Sequence, residues 1–285
     1  MNSVVGIKET FEFDLNGFII FRGFLSSNKI DRINAILDSQ PTQASPKFHF
    51  VTLDEVFLDV LVDPRILDIC NRWINPYFRF DHAWGVQHYP GEPKADRTNL
   101  HGGPYQEMGF FQYHWHNASP TCPCILFSYV LEPQRKGDGG FVIVPGSHKS
   151  NLGLPGYEIF NQVLEKDHSR VSWVVQPELE AGDLLIFTEA TMHGTDTWRV
   201  KDRRRRNLYY KYTYGFMGWP PSDNEEIRTL RGMARTQQER NLFRPPYVST
   251  TTGNELDWRP GTVIGTKTFL QRVRSAFSIS KRRQD

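Results

Sequence analysis

Two stretches of the sequence decide the fold class: residues 139–149 read GGFVIVPGSHK, and residues 181–195 read AGDLLIFTEATMHGT. Each begins with a glycine-containing turn, continues as a short apolar run and ends in another polar or turn-forming segment. Short apolar runs bounded by turn signals are typical of buried strands. The two stretches therefore predict short strands within a β-rich domain.

The same pattern extends to both sides of these stretches. Apolar and polar residues alternate from Phe78 to Gln87, which is the period-two pattern of a half-buried strand. Apolar runs at 124–131, 171–175 and 207–214 add further strand candidates. Many short strands with regular turns favour an antiparallel β-sandwich or barrel over a doubly wound parallel sheet.

Helices are predicted outside this strand-rich region. Asp63-Pro64 combines a capping residue with proline at the first helical position, and an amphipathic helix follows it. We expect a single domain over residues 1–285. It would consist of a β core at about 77–215, a helical N-terminal part at 1–76 and a C-terminal extension at 216–285.

The composition is that of an ordinary globular protein. The 285-residue chain has a net charge of +2, which gives no reason to expect nucleic acid or an anionic membrane as a partner. Three cysteines in a chain of this length argue against a disulfide framework and for a reducing, cytoplasmic location. No apolar run approaches the roughly 20 residues of a membrane span, and the N-terminus does not read as a signal peptide.

Histidines are the first candidates for chemistry, because neutral imidazole is a common metal ligand. His101 follows a polar, turn-rich stretch, and His193 comes shortly after the apolar strand at 184–187. Either histidine alone is more often a hydrogen-bonded surface or core residue than a ligand. Their order and context, however, match a known pattern.

The chain resembles the phytanoyl-CoA dioxygenase family of iron(II)- and 2-oxoglutarate-dependent oxygenases. The resemblance covers about residues 15–215, and it is carried by residues 139–149, by residues 181–195 and by the basic run that enters Asn207-Leu208-Tyr209-Tyr210. It implies a double-stranded β-helix (jelly-roll) core with helices packed outside. It also implies a 2-His-1-carboxylate iron site with positions left for 2-oxoglutarate and O₂.

By position, the resemblance makes His101 and His193 the two histidine ligands of iron(II). In the family the first histidine belongs to a His-x-Asp pair, whose side chains point to the same face of a strand. Here the aspartate position is Gly103, which is the largest departure from the pattern. The third position is left to water, to chloride or to a carboxylate from elsewhere. Glu189 is a candidate, but an extended chain would hold it roughly 13 Å from His193, so a bend is required.

The basic run at 203–206 offers a residue that would anchor 2-oxoglutarate. In the family, an arginine shortly after the second histidine binds the far carboxylate of 2-oxoglutarate, and a guanidinium suits that role because it can donate two parallel hydrogen bonds. The alignment favours Arg205, with Arg204 as the alternative. Thr195 and, more weakly, Gln87 are further candidates for contact with 2-oxoglutarate.

Two other motifs have simpler explanations. His114-Trp115-His116 places two histidines on one face of an extended segment, but it lies too close to the strand at 140–144 to match the family's first ligand. We expect it to form a pocket wall or a surface pair. A single Cys122-Pro123-Cys124 without a second pair is weak support for redox or zinc chemistry.

The resemblance implies an enzyme that converts 2-oxoglutarate and O₂ to succinate and CO₂ while it hydroxylates an unactivated C–H bond of a small organic molecule. Aromatic residues at 105–116 and 209–219 are expected to form an apolar cavity for that substrate. Gly103 keeps a second enzyme class open, the halogenases, in which chloride binds iron at the carboxylate position. A non-catalytic jelly-roll binding protein is the alternative of a different class. The sequence leaves the substrate and the oligomeric state open.

Overall fold

The computed structural model describes residues 3–41, 46–89, 98–103, 109–116, 119–151, 172–219 and 225–246. Its helices are α1 (Ile7–Asn16), α2 (Ser27–Asp38), α3 (Glu55–Leu61), α4 (Pro64–Trp73), α5 (Glu225–Met233) and α6 (Gln237–Leu242). The carboxylate of Asp63 accepts a hydrogen bond from the Arg65 backbone N–H, so the predicted cap of α4 is present. Within the described residues, no helix combines the length and the apolar character needed to cross a bilayer.

The larger of two facing sheets contains β1 (Phe18–Phe21), β2 (Lys47–Phe48), β3 (Phe78–His88), β7 (Cys124–Val130), β9 (Leu184–Thr188) and β11 (Arg205–Tyr214). The strands lie in the order β1-β9-β7-β11-β3-β2, and all neighbours are antiparallel. Neighbours in this sheet are distant in sequence, which is typical of a jelly roll and not of a simple meander.

The smaller sheet contains β4 (Thr98–His101), β10 (His193–Asp196) and β8 (Gly140–Ile143), in that order. The central strand β10 is antiparallel to both neighbours, and His193 lies opposite His101 on one side and Ile143 on the other. A separate hairpin is formed by β5 (His114–His116) and β6 (Ser119–Thr121).

Side chains on the two faces of the larger sheet belong to two different apolar layers. Tyr210 and Tyr212 of β11 pack in the layer that includes the helices, whereas Tyr209 of β11 and Leu126 of β7 pack towards Phe141 of the smaller sheet. Successive residues of a strand point to opposite faces, so the odd-numbered residues of β11 face the space between the sheets.

Buried tyrosine hydroxyls attach α3 to the helix-facing side of the larger sheet. The Tyr212 hydroxyl donates to the Leu61 carbonyl at 2.6 Å, and the Tyr210 hydroxyl donates to the Phe57 carbonyl at 3.2 Å. The carbonyl of Leu61 lies at the end of α3, where the helix itself offers no partner. These bonds satisfy buried polar groups and fix the helical layer on the sheet.

The predicted fold class is confirmed: the structure is mainly antiparallel β-sheet with flanking helices in a jelly-roll arrangement. The larger sheet also takes in β1 and β2, which precede the expected start of the core at residue 77. The apolar run between Gly17 and Gly23 predicts β1 as a short strand, whereas the two residues of β2 give no period-two pattern to read. Of the strand expected at 171–175, the described part contributes a single bridge, between Val175 and Ile143. Residues 247–285, most of the expected C-terminal extension, lie outside the described residues.

Candidate active site

His101 and His193 face each other across the smaller sheet. They are register partners on β4 and β10, and their ring centroids are 4.3 Å apart. Directly opposed side chains on one sheet face are close enough to contact the same small ligand. The two histidines singled out in the sequence are thus brought together by strand pairing.

Hydrogen bonding determines which nitrogen of His193 is available to a ligand. Its Nδ1 lies 2.8 Å from the Thr191 carbonyl oxygen. A carbonyl can only accept, so Nδ1 carries the proton and Nε2 keeps its lone pair. Burial and the nearby His101 lower the pKa of His193 to about 3, so the ring is neutral at neutral pH. A backbone carbonyl commonly orients metal-binding histidines in this way.

The Gly-Gly turn after His101 gives a structural reason for the missing aspartate. Gly102 and Gly103 have φ angles of +82° and +109°, a region that residues with a side chain rarely adopt. A Cβ at Gly102 would lie 2.7 Å from the carbonyl oxygens of both Glu189 and Thr191. The two glycines therefore allow the end of β4 to pack closely against the segment that leads to His193.

Glu189 lies in a bend between β9 and β10, next to the two histidines. Its carboxylate is buried and forms an ion pair with Lys211, with 3.1 Å between Oε2 and Nζ. Burial by itself raises the pKa of Glu189, but the charge of Lys211 opposes this effect and helps to hold the pKa below its usual value. Glu189 is therefore an ionised, buried carboxylate at neutral pH.

The bend that the sequence analysis required for Glu189 is present, but the ligand set is incomplete in this conformation. Oε2 of Glu189 has no well-aligned hydrogen bond beside its ion pair with Lys211. Among the described residues, no three His, Cys, Asp or Glu side chains are close enough together to bind one metal ion. The site thus has two converging histidines and a nearby carboxylate that Lys211 holds.

A cavity of about 150 Å³ opens beside His101 and His193, and we call it the histidine cavity. Its wall includes apolar side chains of the larger sheet, such as Trp84 and Phe187, and Phe141 of the smaller sheet. Thr195, the predicted contact for 2-oxoglutarate, also lines it. This volume is below the roughly 300–1,000 Å³ of cavities that bind drug-sized ligands, so the histidine cavity has room only for a small molecule.

Arg205 is fully buried behind the wall of the histidine cavity. Its guanidinium donates to Gln134 Oε1 and to the Tyr209 hydroxyl, each at 3.1 Å, and lies 3.5 Å from His88 Nδ1. Tyr209 and His88 both line the cavity. Burial, and then the charge of Arg205, lower the pKa of His88 to about 3, so this ring is neutral.

No carboxylate among the described residues compensates the charge of Arg205, because its hydrogen-bond partners are all neutral. A buried charge without a counter-ion is costly. Among the described residues, the buried guanidinium thus carries an uncompensated positive charge beside the wall of the histidine cavity.

Glycine at position 140 makes room for this arrangement. A Cβ there would lie 2.7 Å from Gln134 Oε1 and 3.1 Å from Arg205 Nε, and the φ angle is +86°. The Gly139-Gly140 turn of the first quoted stretch thus allows Gln134 and Arg205 to meet. The turn therefore makes room for site residues and also leads into strand β8.

The neighbouring arginines point to the opposite face of β11. Arg204 pairs with Asp38 at 2.6 Å and with Glu132 at 3.0 Å, and Arg206 pairs with Asp38 at 2.6 Å. Both are therefore neutralised on the side where α2 packs. The alternation of the strand favours Arg205 over Arg204 as the residue that meets an anion in the cavity.

Gln87 does not lie on the wall of the histidine cavity. It accepts a hydrogen bond from Arg206 on the helix-facing side of the sheet. The next residue, His88, takes the cavity-facing position, because adjacent residues of β3 point to opposite faces. The contact of Gln87 with 2-oxoglutarate stays a prediction, and its neighbour His88 is the residue that lines the cavity. The sequence analysis included Tyr209 only within an aromatic range and missed Lys211, although both follow Arg205 at even spacing along β11.

The two motifs with simpler explanations lie apart from the histidine pair. His114 lines a second, larger cavity, as expected of a pocket wall. Cys122 and Cys124 are buried and free, and burial raises the pKa of both thiols well above the usual value. Among the described side chains, His114, Cys122 and Cys124 do not form a metal-binding group with the histidine pair.

Solved structures share this fold at low sequence identity. HygX from Streptomyces hygroscopicus, crystallised with nickel and 2-oxoglutarate, is 21% identical with a TM-score of 0.65, and the match covers 75% of this chain and 89% of HygX. EctD from S. alaskensis with bound Fe is 15% identical with a TM-score of 0.56, covering 75% and 78%. The epimerase SnoN from nogalamycin biosynthesis is 13% identical with a TM-score of 0.51, covering 73% and 83%.

Family-level similarity is more specific than these structural matches. Comparison with curated proteins gives no significant match. The family model for phytanoyl-CoA dioxygenase (PhyH) matches residues 13–206, well over half of the sequence. The chain therefore belongs to the phytanoyl-CoA dioxygenase family of iron(II)- and 2-oxoglutarate-dependent oxygenases.

Proposed function

We propose that this protein hydroxylates an unactivated C–H bond of a small organic molecule, with release of succinate and CO₂ from 2-oxoglutarate. The observation that carries the proposal is the buried guanidinium of Arg205, which has only neutral partners among the described residues and lies behind the cavity that His101 and His193 line. Small-molecule substrates are supported by analogy, since HygX has also been crystallised with hygromycin B.

The residues present fit an iron(II) ion with bound 2-oxoglutarate. His101 and His193 would hold the metal, because imidazole suits iron and His193 keeps its Nε2 lone pair available. Iron(II) with 2-oxoglutarate supplies the activation of O₂ for the oxidation. Arg205 would bind the far carboxylate of 2-oxoglutarate through its fork of N–H groups. Tyr209 and Thr195 would offer hydroxyls to the same molecule, and the apolar wall would exclude water.

Halogenation is the second candidate, and Gly103 at the family's carboxylate position is the observation in its favour. We place hydroxylation first because Glu189 keeps a negative charge beside the two histidines. A chloride ion at the same place would find Lys211 already paired with this carboxylate. Glu189 is also the acidic side chain that we propose as the source of a third ligand. SnoN, an epimerase, adds a reason to test the reaction type directly.

The absence of nucleic-acid and membrane partners, and a cytoplasmic location, stay predictions from composition. The single domain over residues 1–285 is likewise part of the proposal. A non-catalytic binding protein would release no succinate under any condition, so measurement of succinate separates that class from both enzyme classes.

The first prediction concerns metal binding by the histidine pair. His101→Ala and His193→Ala should each weaken nickel(II) binding by about 100-fold or more, since one histidine is left to compete with water. Isothermal titration calorimetry under anaerobic conditions measures the affinity. His114→Ala is the control, because this exposed histidine lies in the other cavity. A loss of nickel binding in His114→Ala, with normal binding in His193→Ala, would place the metal elsewhere.

The second prediction concerns the Gly-Gly turn. Gly102→Ala should cost about 1–3 kcal/mol in stability from backbone strain and should also weaken nickel binding about tenfold, because its Cβ would push against the segment that holds His193. Gly137→Ala is the matched control: its φ is +91°, but a Cβ would meet nothing within 4 Å. Thermal melts and calorimetry measure both effects. Equal nickel affinity in the two variants would contradict the role of this contact.

The third prediction concerns Arg205. Loss of a buried, charged contact costs about 2–5 kcal/mol, so Arg205→Ala should weaken 2-oxoglutarate binding by more than tenfold. Nickel binding should persist, because the guanidinium is not a ligand. Calorimetry with the nickel-loaded protein measures the affinity, and Arg205→Lys tests the need for the fork if the alanine variant is unstable. A defect in Arg204→Ala in place of Arg205→Ala would reverse the assignment.

The fourth prediction separates hydroxylation from halogenation. The anaerobic iron(II)–2-oxoglutarate complex should show no saturable change in its charge-transfer absorption when chloride is added. Glu189→Gln should gain such a change, because the substitution removes the negative charge and leaves Lys211 without its partner. A saturable chloride effect in the unaltered protein, with a chlorinated product, would favour the halogenase.

A further inference from the structure

The larger cavity, of about 730 Å³, adjoins the histidine cavity on the same face of the larger sheet. On β11, Tyr209 lines the histidine cavity and Thr213 lines the larger one. On β7, Leu126 lines the histidine cavity and Cys124 lines the larger one. At the rise of a strand, Cys124 and Leu126 are only roughly 7 Å apart. We therefore call the larger space the aromatic cavity and consider it together with the histidine cavity.

The boundary between the two cavities carries no net charge. The ammonium group of Lys211 lies 4.1 Å from the ring centroid of Trp219 and 5.6 Å from that of Trp84. Its charge is balanced by Glu189 at 3.1 Å. Indole faces also stabilise a cation. Lys211 is thus fully engaged at the boundary.

The lining of the aromatic cavity is dominated by rings. Phe111 and Trp219 stack with their centroids 4.9 Å apart and their planes 22° from parallel. Phe110, Phe216 and Trp219 also line the cavity and are 59%, 53% and 43% exposed. Large exposed rings gathered in one concavity mark a place where an apolar partner is bound.

The one carboxylate in this lining has no capacity left for a cationic ligand. Asp81 is buried and accepts hydrogen bonds from Arg79 at 2.7 Å and from the Trp219 backbone N–H at 3.0 Å, and it lies 2.6 Å from His82 Nδ1. A polycation would therefore find no unpaired acid among the described residues of the cavity. An anion would find Lys211 already paired.

From these contacts we infer that the aromatic cavity binds the organic substrate and that it selects planar, uncharged aromatic molecules. The inference rests on the proposed function, because it assigns the substrate class of the same enzyme. Its volume lies within the roughly 300–1,000 Å³ of cavities that bind drug-sized ligands, whereas the histidine cavity has room for 2-oxoglutarate alone. Flat rings gain from stacking on the exposed ring of Phe110 and from contact with the edge of Trp219. The faces of the Trp219 ring already contact Phe111 and Lys211.

Three probes of known structure test this selectivity by calorimetry on the full chain, both metal-free and loaded with nickel and 2-oxoglutarate. The planar probe is 2-naphthol, its saturated counterpart is decahydro-2-naphthol, and spermidine is the polycation. The planar probe should bind at least about fivefold more tightly than its saturated counterpart, and spermidine should not bind. Equal affinity for the two naphthol-type probes, preferential binding of spermidine or no binding of 2-naphthol would overturn the inference.

Substitutions locate the binding. Trp219→Leu and Phe110→Ala should each weaken 2-naphthol binding about fivefold or more, and both side chains are exposed enough for the fold to tolerate the change. Trp115→Leu is the matched control, because Trp115 is 52% exposed and belongs to the nearby hairpin but not to the cavity lining. Unchanged affinity in both cavity variants would overturn the inference.

Nickel and 2-oxoglutarate affinities, measured on the same samples, separate this inference from the proposed function. If the unaltered protein binds nickel and 2-oxoglutarate but does not bind 2-naphthol, the result counts against the substrate class alone. Intact 2-naphthol binding in a protein that binds neither nickel nor 2-oxoglutarate counts against the proposed function alone.

Discussion

The alternation of side chains along β11 is the constraint on which both the core and the site depend. Even-numbered residues of the strand, such as Tyr210, enter the helical layer, and odd-numbered ones face the smaller sheet. A shift of one residue in register would exchange the two sets. It would bury Arg204 in the place of Arg205 and turn Lys211 away from Glu189. The long pairing of β11 with both β3 and β7 makes such a shift costly.

The cavity-facing side of β11 carries two buried cations that the structure treats differently. Lys211 has a carboxylate partner in Glu189, and its ammonium also contacts two indole rings. Within the part of the chain that the structure describes, Arg205 has only neutral acceptors. Electrostatic interactions are strong in a buried environment, so this difference makes the electrostatic potential differ between the two ends of the space between the sheets. Among the described residues, the end near Arg205 carries an uncompensated positive charge, whereas the charge of Lys211 is balanced by Glu189.

The sequence revealed those features that are encoded locally or by a family motif. Turn-bounded apolar runs predicted the strand-rich middle, and the motif resemblance brought out His101 and His193, which the structure places opposite each other. Orientation was harder to predict. Gln87 and His88 differ by one position, and the side of the sheet that each one faces is set by the pairing of β3 with β11. Lys211 is neutralised by Glu189, and Glu189 lies close to it because the chain bends between β9 and β10. No local sequence pattern specifies that bend.

The replacement of the family's aspartate by Gly103 is a change of backbone as well as of side chain. Gly102 and Gly103 both have positive φ angles, and Gly103 donates its backbone N–H to the Glu189 carbonyl at 3.3 Å. An aspartate at position 103 would have to adopt φ near +109°, which is strained for any residue with a side chain. It would also no longer lie on a regular strand beside His101, so the spacing that lets His-x-Asp share one ion is lost. The same turn carries β4 against the segment that contains Glu189. The loss of one carboxylate and the approach of another are therefore consequences of a single backbone change.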